Sequence, residues 1–193
     1  NEAGVRRNVE YAFNVHADGI GIGFSEPWVC SVAERIRTME IAVDAIRGRV
    51  PSFVYATDHS IEETISIIRH AEAAGADAVM VWTPYEWAKS QEMACEFYEY
   101  VASRVNIAMI AYNTFHSGLF LTPESISRIA NIENVCMIKE TSSLEHIARV
   151  DELCGDRIIV SDNHEYNLLT RTVSCRQALM LGTTSVFLMQ SPH

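Results

Sequence analysis

A lysine that closes an apolar run is the most chemically suggestive residue in this 193-residue sequence. Lys139 follows Asn134-Val135-Cys136-Met137-Ile138, which reads as a buried strand, and it is one of only two lysines beside thirteen arginines. A chain that supplies nearly all its positive charge as guanidinium, yet keeps a primary amine at a strand end, points to use of that amine as an amine. Guanidinium stays protonated, whereas a desolvated ammonium can lose its proton and attack a carbonyl. Burial disfavours the charged form and can bring a lysine from about 10.4 towards 7, so neutral nucleophile exists at working pH. The protonated imine that results withdraws electrons from the adjacent carbon, so a carbon-carbon bond can break or a proton can leave. Such chemistry needs a proton carrier. Tyr112, which follows Ile107-Ala108-Met109-Ile110-Ala111 and precedes Asn113, places a phenol at the neighbouring strand end. The plainer alternatives are a lysine that snorkels to the strand end or pairs with Glu140, and a tyrosine that makes an ordinary hydrogen bond.

The elements that must hold these residues are legible as an alternation. Seven short apolar runs, at 18–23, 51–56, 77–82, 106–111, 134–139, 157–161 and 184–188, read as strands. Between them, residues such as Ile61, Ile65, Ile68 and Ala71 recur at helical spacing and need a sheet to cover them. That order specifies parallel strands joined by right-handed crossovers. Ala78-Val79-Met80-Val81-Trp82 lacks two-fold alternation, so both strand faces are covered. Capping boxes at Ser31 to Glu34, Ser60 to Glu63 and Ser142 to Glu145, and Thr122 before Pro123, mark helix starts. A first helix over 4–16 precedes the first visible strand, which implies a further strand before residue 1. Seven strands plus one make a (β/α)₈ TIM barrel, usually about 250 residues long. The chain thus reads as one α/β barrel domain over 1–193, incomplete at both ends, without its first strand and its C-terminal helices.

Active sites of such barrels sit at the carboxyl ends of the strands. That rule gathers Ser25 and Glu26; Thr57, Asp58 and His59; Tyr85 and Glu86; Tyr112 and Asn113; Lys139, Glu140 and Thr141; Asp162, Asn163 and His164; and Gln190. Tyr112-Asn113, then Leu121-Thr122-Pro123-Glu124, then Ile138-Lys139-Glu140-Thr141 is a pattern that resembles the dihydrodipicolinate synthase and N-acetylneuraminate lyase family of class I aldolases. Thr83-Pro84-Tyr85 followed by Ser90-Gln91, and Glu26 after a glycine-containing strand end, fall where that family has similar motifs.

The resemblance implies a (β/α)₈ barrel in which Lys139 forms an imine with pyruvate or a related 2-oxo acid and Tyr112 relays protons. Ser25, Glu26, Tyr85, Asn113 and Thr141 fall at the motif positions as substrate-binding candidates, His116 joins them from its place on the same rim, no cofactor or metal is expected, and the resemblance implies a homodimer or homotetramer. Three departures narrow the activity. The family's carboxylate loop is of Gly-Thr-Thr-Gly-Glu type, whereas Gly23-Phe24-Ser25-Glu26 offers one hydroxyl. Glu86 stands where synthases carry a second tyrosine. Thr114-Phe115-His116-Ser117-Gly118 lacks the arginine by which synthases hold the aldehyde partner, and no other side chain there makes its bidentate contact. Aldol cleavage, condensation or dehydration of a 2-oxo acid therefore stands ahead of dihydrodipicolinate synthesis proper. A sensor that keeps the lysine without turnover is the reading from another class.

Composition removes other functions. A formal net charge of −10 repels a phosphate backbone, which argues against nucleic acid as a partner. No apolar stretch approaches the roughly 18 residues of a membrane span, and a cytoplasmic protein is expected. Five widely spaced cysteines, Cys30, Cys95, Cys136, Cys154 and Cys175, read as reduced thiols. His59, His116, His164, Asp162 and Glu26 could share a barrel face as metal ligands, but no ligand-pair spacing supports that alternative.

Overall fold

Each apolar run becomes a strand because helices cover its outer face while the facing strands fill its inner one. The computed structural model describes residues 1–23, 29–84, 88–163, 179–183 and 186–190, the last two segments as backbone. In chain order the elements are α1 (Glu2–Asn14), β1 (Ile20–Ile22), α2 (Val32–Ile46), β2 (Ser52–Tyr55), α3 (Ile61–Ala74), β3 (Ala78–Val81) and α4 (Gln91–Ala102). There follow β4 (Ala108–Asn113), a 3₁₀ turn (Phe115–Ser117), α5 (Pro123–Ile129), β5 (Val135–Glu140), α6 (Leu144–Cys154), β6 (Ile159–Asp162), β7 (Leu179–Thr183) and β8 (Val186–Gln190). Strands β1 to β6 are parallel and curl as a half-barrel; β7 and β8 complete a closed ring back to β1.

The expectation of parallel strands throughout is corrected at the last position. Strand β7 lies parallel to β6, but β8 runs antiparallel to both β7 and β1. Only two residues separate β7 from β8, and a parallel pair needs a crossover of a dozen or more. Strand β7 itself was not among the seven runs read from the sequence, and β8 lies two residues beyond the expected 184–188.

Helix starts follow the capping chemistry. Ser31 and Glu34 form the reciprocal box at α2, Ser60 accepts from Glu63 N at α3, and Thr122 caps α5 with Pro123 at its first position. At α6 the cap is Ser143, which accepts from His146 N, one residue after the expected Ser142. Ser142 is diverted because its hydroxyl donates to the buried carboxylate of Glu140. Among the described residues no helix is long and apolar enough to cross a membrane, and the four described cysteines are free thiols.

Two cores result. The outer one, between helices and sheet, includes Ile46, Ile65, Val79, Phe97, Ile126 and Val150. The inner one fills the ring with Phe53, Tyr55, Met80, Trp82, Ile110, Tyr112 and Met137. Gly21 of β1 faces Phe53 in register, and a Cβ there would lie 2.5 Å from the Phe53 ring carbon Cζ. The ring is itself buried and packed against Tyr55, so the clash must be relieved by moving core groups. Gly21→Ala is therefore expected to cost about 1–3 kcal/mol by overpacking. A lowered urea midpoint with unchanged slope would register the loss, and an unaltered midpoint would show that the inner core yields freely.

Candidate active site

Position 139 reaches the interior because of a register shift. In the β4–β5 pair Met109 faces Val135 but Ile110 faces Met137, so Cys136 is the extra residue. Side chains alternate along a strand, and a slip of one residue exchanges its faces. Val135 accordingly lies in the outer core, Cys136 is exposed, and Met137 lies in the inner core. Beyond the shift Tyr112 stands opposite Lys139 and Asn113 opposite Glu140, while Lys139 also faces Ser161 of β6.

The Lys139 side chain is 1% exposed. Its Nζ donates to Tyr55 Oη at 3.3 Å and lies 4.2 Å from the centre of the Tyr112 ring. Desolvation lowers its pKa from 10.5 to about 7. That drop corresponds to about 5 kcal/mol against the charged form. A ring face returns only about 0.5–2 kcal/mol to a cation, so desolvation decides the balance. Half the amine is thus neutral near pH 7.

The two phenols beside it stay protonated. Burial raises Tyr55 well above its ordinary value, and the charge of a Tyr112 phenolate would raise it further. Burial also raises Tyr112, partly offset by a hydrogen bond with Thr114. Trp82 joins them, its ring 6.1 Å from Tyr55 and 5.8 Å from Tyr112, both edge-on. Behind the strands, Tyr98 of α4 donates to Val81 O at 2.9 Å and accepts from Tyr112 N at 3.4 Å, bridging β3 and β4 just below Tyr112.

The opposite strand face carries a polar scaffold. Asn113 Nδ2 donates to Glu140 Oε1 at 3.0 Å and to Leu121 O at 3.2 Å, while its Oδ1 accepts from Leu121 N at 2.9 Å. Thr141 Oγ1 donates to Asn113 O at 2.9 Å. Glu140 is fully buried, takes the Ser142 hydroxyl, and lies 3.7 Å from His146 Nε2. Burial lowers the His146 pKa, so a neutral ring faces this carboxylate. Glu140 therefore turns away from the amine; the alternative of a Lys139–Glu140 pair does not describe this geometry. At the β2 end, Arg35 donates to Asp58 Oδ2 at 2.7 Å and to Thr57 O at 2.9 Å, and Thr57 Oγ1 bridges to Trp82.

The structure thus brings together Lys139 and Tyr112 from the expected residues. It places Asn113 and Thr141 beside them as supports for the strand ends. Ser25, Glu26 and Tyr85 lie outside the described residues, and of His116 only the backbone is described, in the 3₁₀ turn. Tyr55, Tyr98 and Arg35 were missed. Phe53 and Tyr55 at alternate positions of one strand were the available signal for an aromatic inner face, whereas nothing in the helices marks Tyr98 or Arg35. Among the described residues no three His, Cys, Asp or Glu side chains gather as a metal site.

An α/β barrel-like ring with an interior strand-end amine between phenols defines a class that comparison with known proteins makes specific. The chain belongs to the dihydrodipicolinate synthetase family, whose profile matches residues 1–175. It is 31% identical over 170 residues to a 4-hydroxy-tetrahydrodipicolinate synthase of Pelobacter propionicus, covering 86% of this chain and 59% of that protein. The corresponding synthase of Syntrophus aciditrophicus is 34% identical over 86% of this chain and 58% of its own. The chain therefore spans less than two thirds of the length of these relatives. Among solved structures it is similar to YagE, a prophage protein of Escherichia coli K12 in complex with pyruvate, with TM-score 0.88 and 23% identity over 94% of this chain and 63% of that one. At that identity the likeness is one of fold.

The buried amine has a measurable consequence for stability. Between about pH 7 and pH 10.5 the unfolded chain holds a proton at position 139 that the folded chain releases. Stability from this group is complete above pH 10.5 and is lost as pH falls towards 7. Lys139→Met is expected to be more stable than the parent at pH 6, by about 1–4 kcal/mol as when buried ionic groups give way to apolar ones. The gap should narrow at pH 9, as read from urea midpoints at the two pH values. A gap that is absent or independent of pH would mean that the amine keeps its proton.

Proposed function

We propose that the chain carries the imine-forming lysine of a class I lyase or aldolase that acts on pyruvate or a related 2-oxo acid. The observation that supports this reading is the Lys139 amine, enclosed between Tyr55 and Tyr112 and neutral for half its population near pH 7. A neutral amine adds to the keto carbon, loss of water gives an iminium ion, and the positive nitrogen draws electrons from the adjacent carbon. Tyr112, held protonated by burial and placed in register with Lys139, is the proton carrier. Neither lysine nor phenol needs a cofactor for this chemistry.

Ser25, Glu26, Tyr85 and His116 belong to the proposal as substrate contacts. Asn113 and Thr141 enter it as positioning residues, since their side chains are engaged at Glu140, Leu121 and the strand end. A (β/α)₈ barrel architecture, a homodimer or homotetramer and a cytoplasmic location belong to the same reading. Dihydrodipicolinate synthesis proper, the activity for which the relatives are named, is the narrower alternative. Against it stands the segment Thr114–Gly118, which offers no guanidinium for a second carboxylate.

Incubation with pyruvate and borohydride, followed by peptide mass analysis, is expected to yield a reduced adduct on Lys139 and none in Lys139→Arg. Tyr112→Phe should still form the adduct, while exchange of the pyruvate methyl protons with solvent slows by about 10²–10⁴-fold. An unmodified Lys139 with every 2-oxo acid offered would overturn the proposal. Adduct without exchange in the parent chain would favour a sensor.

A further inference from the structure

Among the described residues two phenols flank the Lys139 amine, and the one of these in hydrogen-bond contact with it is not Tyr112. Nζ lies over the face of the Tyr112 ring, and the Tyr112 hydroxyl is engaged with Thr114. The hydroxyl that meets Nζ is that of Tyr55, at 3.3 Å, from the opposite side of the ring at the end of β2. Tyr55 is 1% exposed, and its ring is fixed between Phe53 and Trp82 with centroids 5.6 and 6.1 Å away. A phenol this rigid, bonded to the reacting nitrogen and drawn from a strand outside the recognised motif, calls for its own assignment.

We propose that Tyr55 is a second catalytic phenol, which moves the proton between nitrogen and oxygen during imine formation, while Tyr112 serves the later steps. This rests on the imine reading above. When neutral Lys139 adds to the keto carbon, the nitrogen becomes positive and the former carbonyl oxygen negative. Tyr55 gives its hydroxyl proton to that oxygen and takes one from the nitrogen it already contacts, so the phenol is unchanged and a neutral carbinolamine remains. The two atoms it serves are separated by one carbon, and a single hydroxyl can bridge them. Tyr112 then protonates the carbinolamine hydroxyl, water departs, and the nitrogen lone pair closes the iminium. The Tyr112 phenolate so formed takes the proton from the carbon next to it, giving the enamine and restoring the phenol.

Burial supports this division of labour, because both hydroxyls are held in the protonated form from which each step starts. It also explains why removing one phenol need not silence the other. The Tyr55 hydroxyl meets the nitrogen that attacks the keto carbon, so its loss should be felt before the imine exists. Once the iminium has formed, exchange at the adjacent carbon runs through Tyr112.

The test is a borohydride-quenched time course of adduct formation with pyruvate, set beside methyl-proton exchange started from preformed imine. Tyr55→Phe keeps the ring and removes only the hydroxyl. It is expected to slow adduct formation by about 10²-fold while exchange changes by less than about threefold. Adduct formation within about threefold of the parent rate, or equal loss in both measurements, would overturn the assignment. Should Tyr55→Phe fail to fold, 3-fluorotyrosine installed at position 55 alters phenol acidity with little change in shape; a changed rate of adduct formation supports the proposal and an unchanged one overturns it. Absence of any adduct in the parent chain overturns the imine reading and this assignment with it. Adduct in the parent at an undiminished rate in Tyr55→Phe removes the role of Tyr55 alone.

Discussion

Withdrawal of one ammonium from water is the constraint on which the rest of this structure depends. An amine 1% exposed beside Tyr55 and Tyr112 has lost its hydration, and the ring faces around it return only part of that loss. The pKa falls to about 7 with no neighbouring cation needed to push it there. A surface lysine would be almost wholly protonated at the same pH and useless as a nucleophile. The cost appears in stability and the return in reactivity, a trade common at sites where chemistry needs a strained or desolvated group.

Strand alternation keeps this site separate from what holds it. From Met137 onward β5 points its odd residues inward and its even residues outward, so adjacent positions have opposite duties. Lys139 faces the phenols, while Glu140, fully buried, ties Asn113 and Ser142 together behind the sheet. Asn113 does the same for β4, clasping Leu121 and so fixing the segment that follows Tyr112. A buried carboxylate is tolerated there because hydrogen bonds replace its water. The motif residues Tyr112-Asn113 and Lys139-Glu140 are thus two pairs that each combine one chemical and one supporting side chain.

Much of this was legible in the sequence. The scarcity of lysine singled out Lys139, and apolar runs located seven of the eight described strands, β8 with an offset of two residues, while capping residues marked most helix starts. Physical reasons account for what was not. The register shift at Cys136 leaves no trace in an unbroken apolar run, yet without it Ile138 rather than Lys139 would face Tyr112. Ser142 and Ser143 are equivalent as sequence signals; only the buried Glu140 decides which caps α6. The antiparallel course of β8 follows from its two-residue separation from β7, a pairing hidden because β7 was not read as a strand. Tyr55 lay inside a run read as core, and core it is, but its hydroxyl end reaches the amine.

Only two lysines occur in the chain, Lys89 and Lys139, so labelling with [ε-¹³C]lysine gives a spectrum simple enough to titrate residue by residue, with Lys139→Arg assigning the signals. A Lys139 resonance that moves with a midpoint near pH 7 is the expected result. A midpoint above about pH 9, within the ordinary range of a solvated amine, would contradict the account.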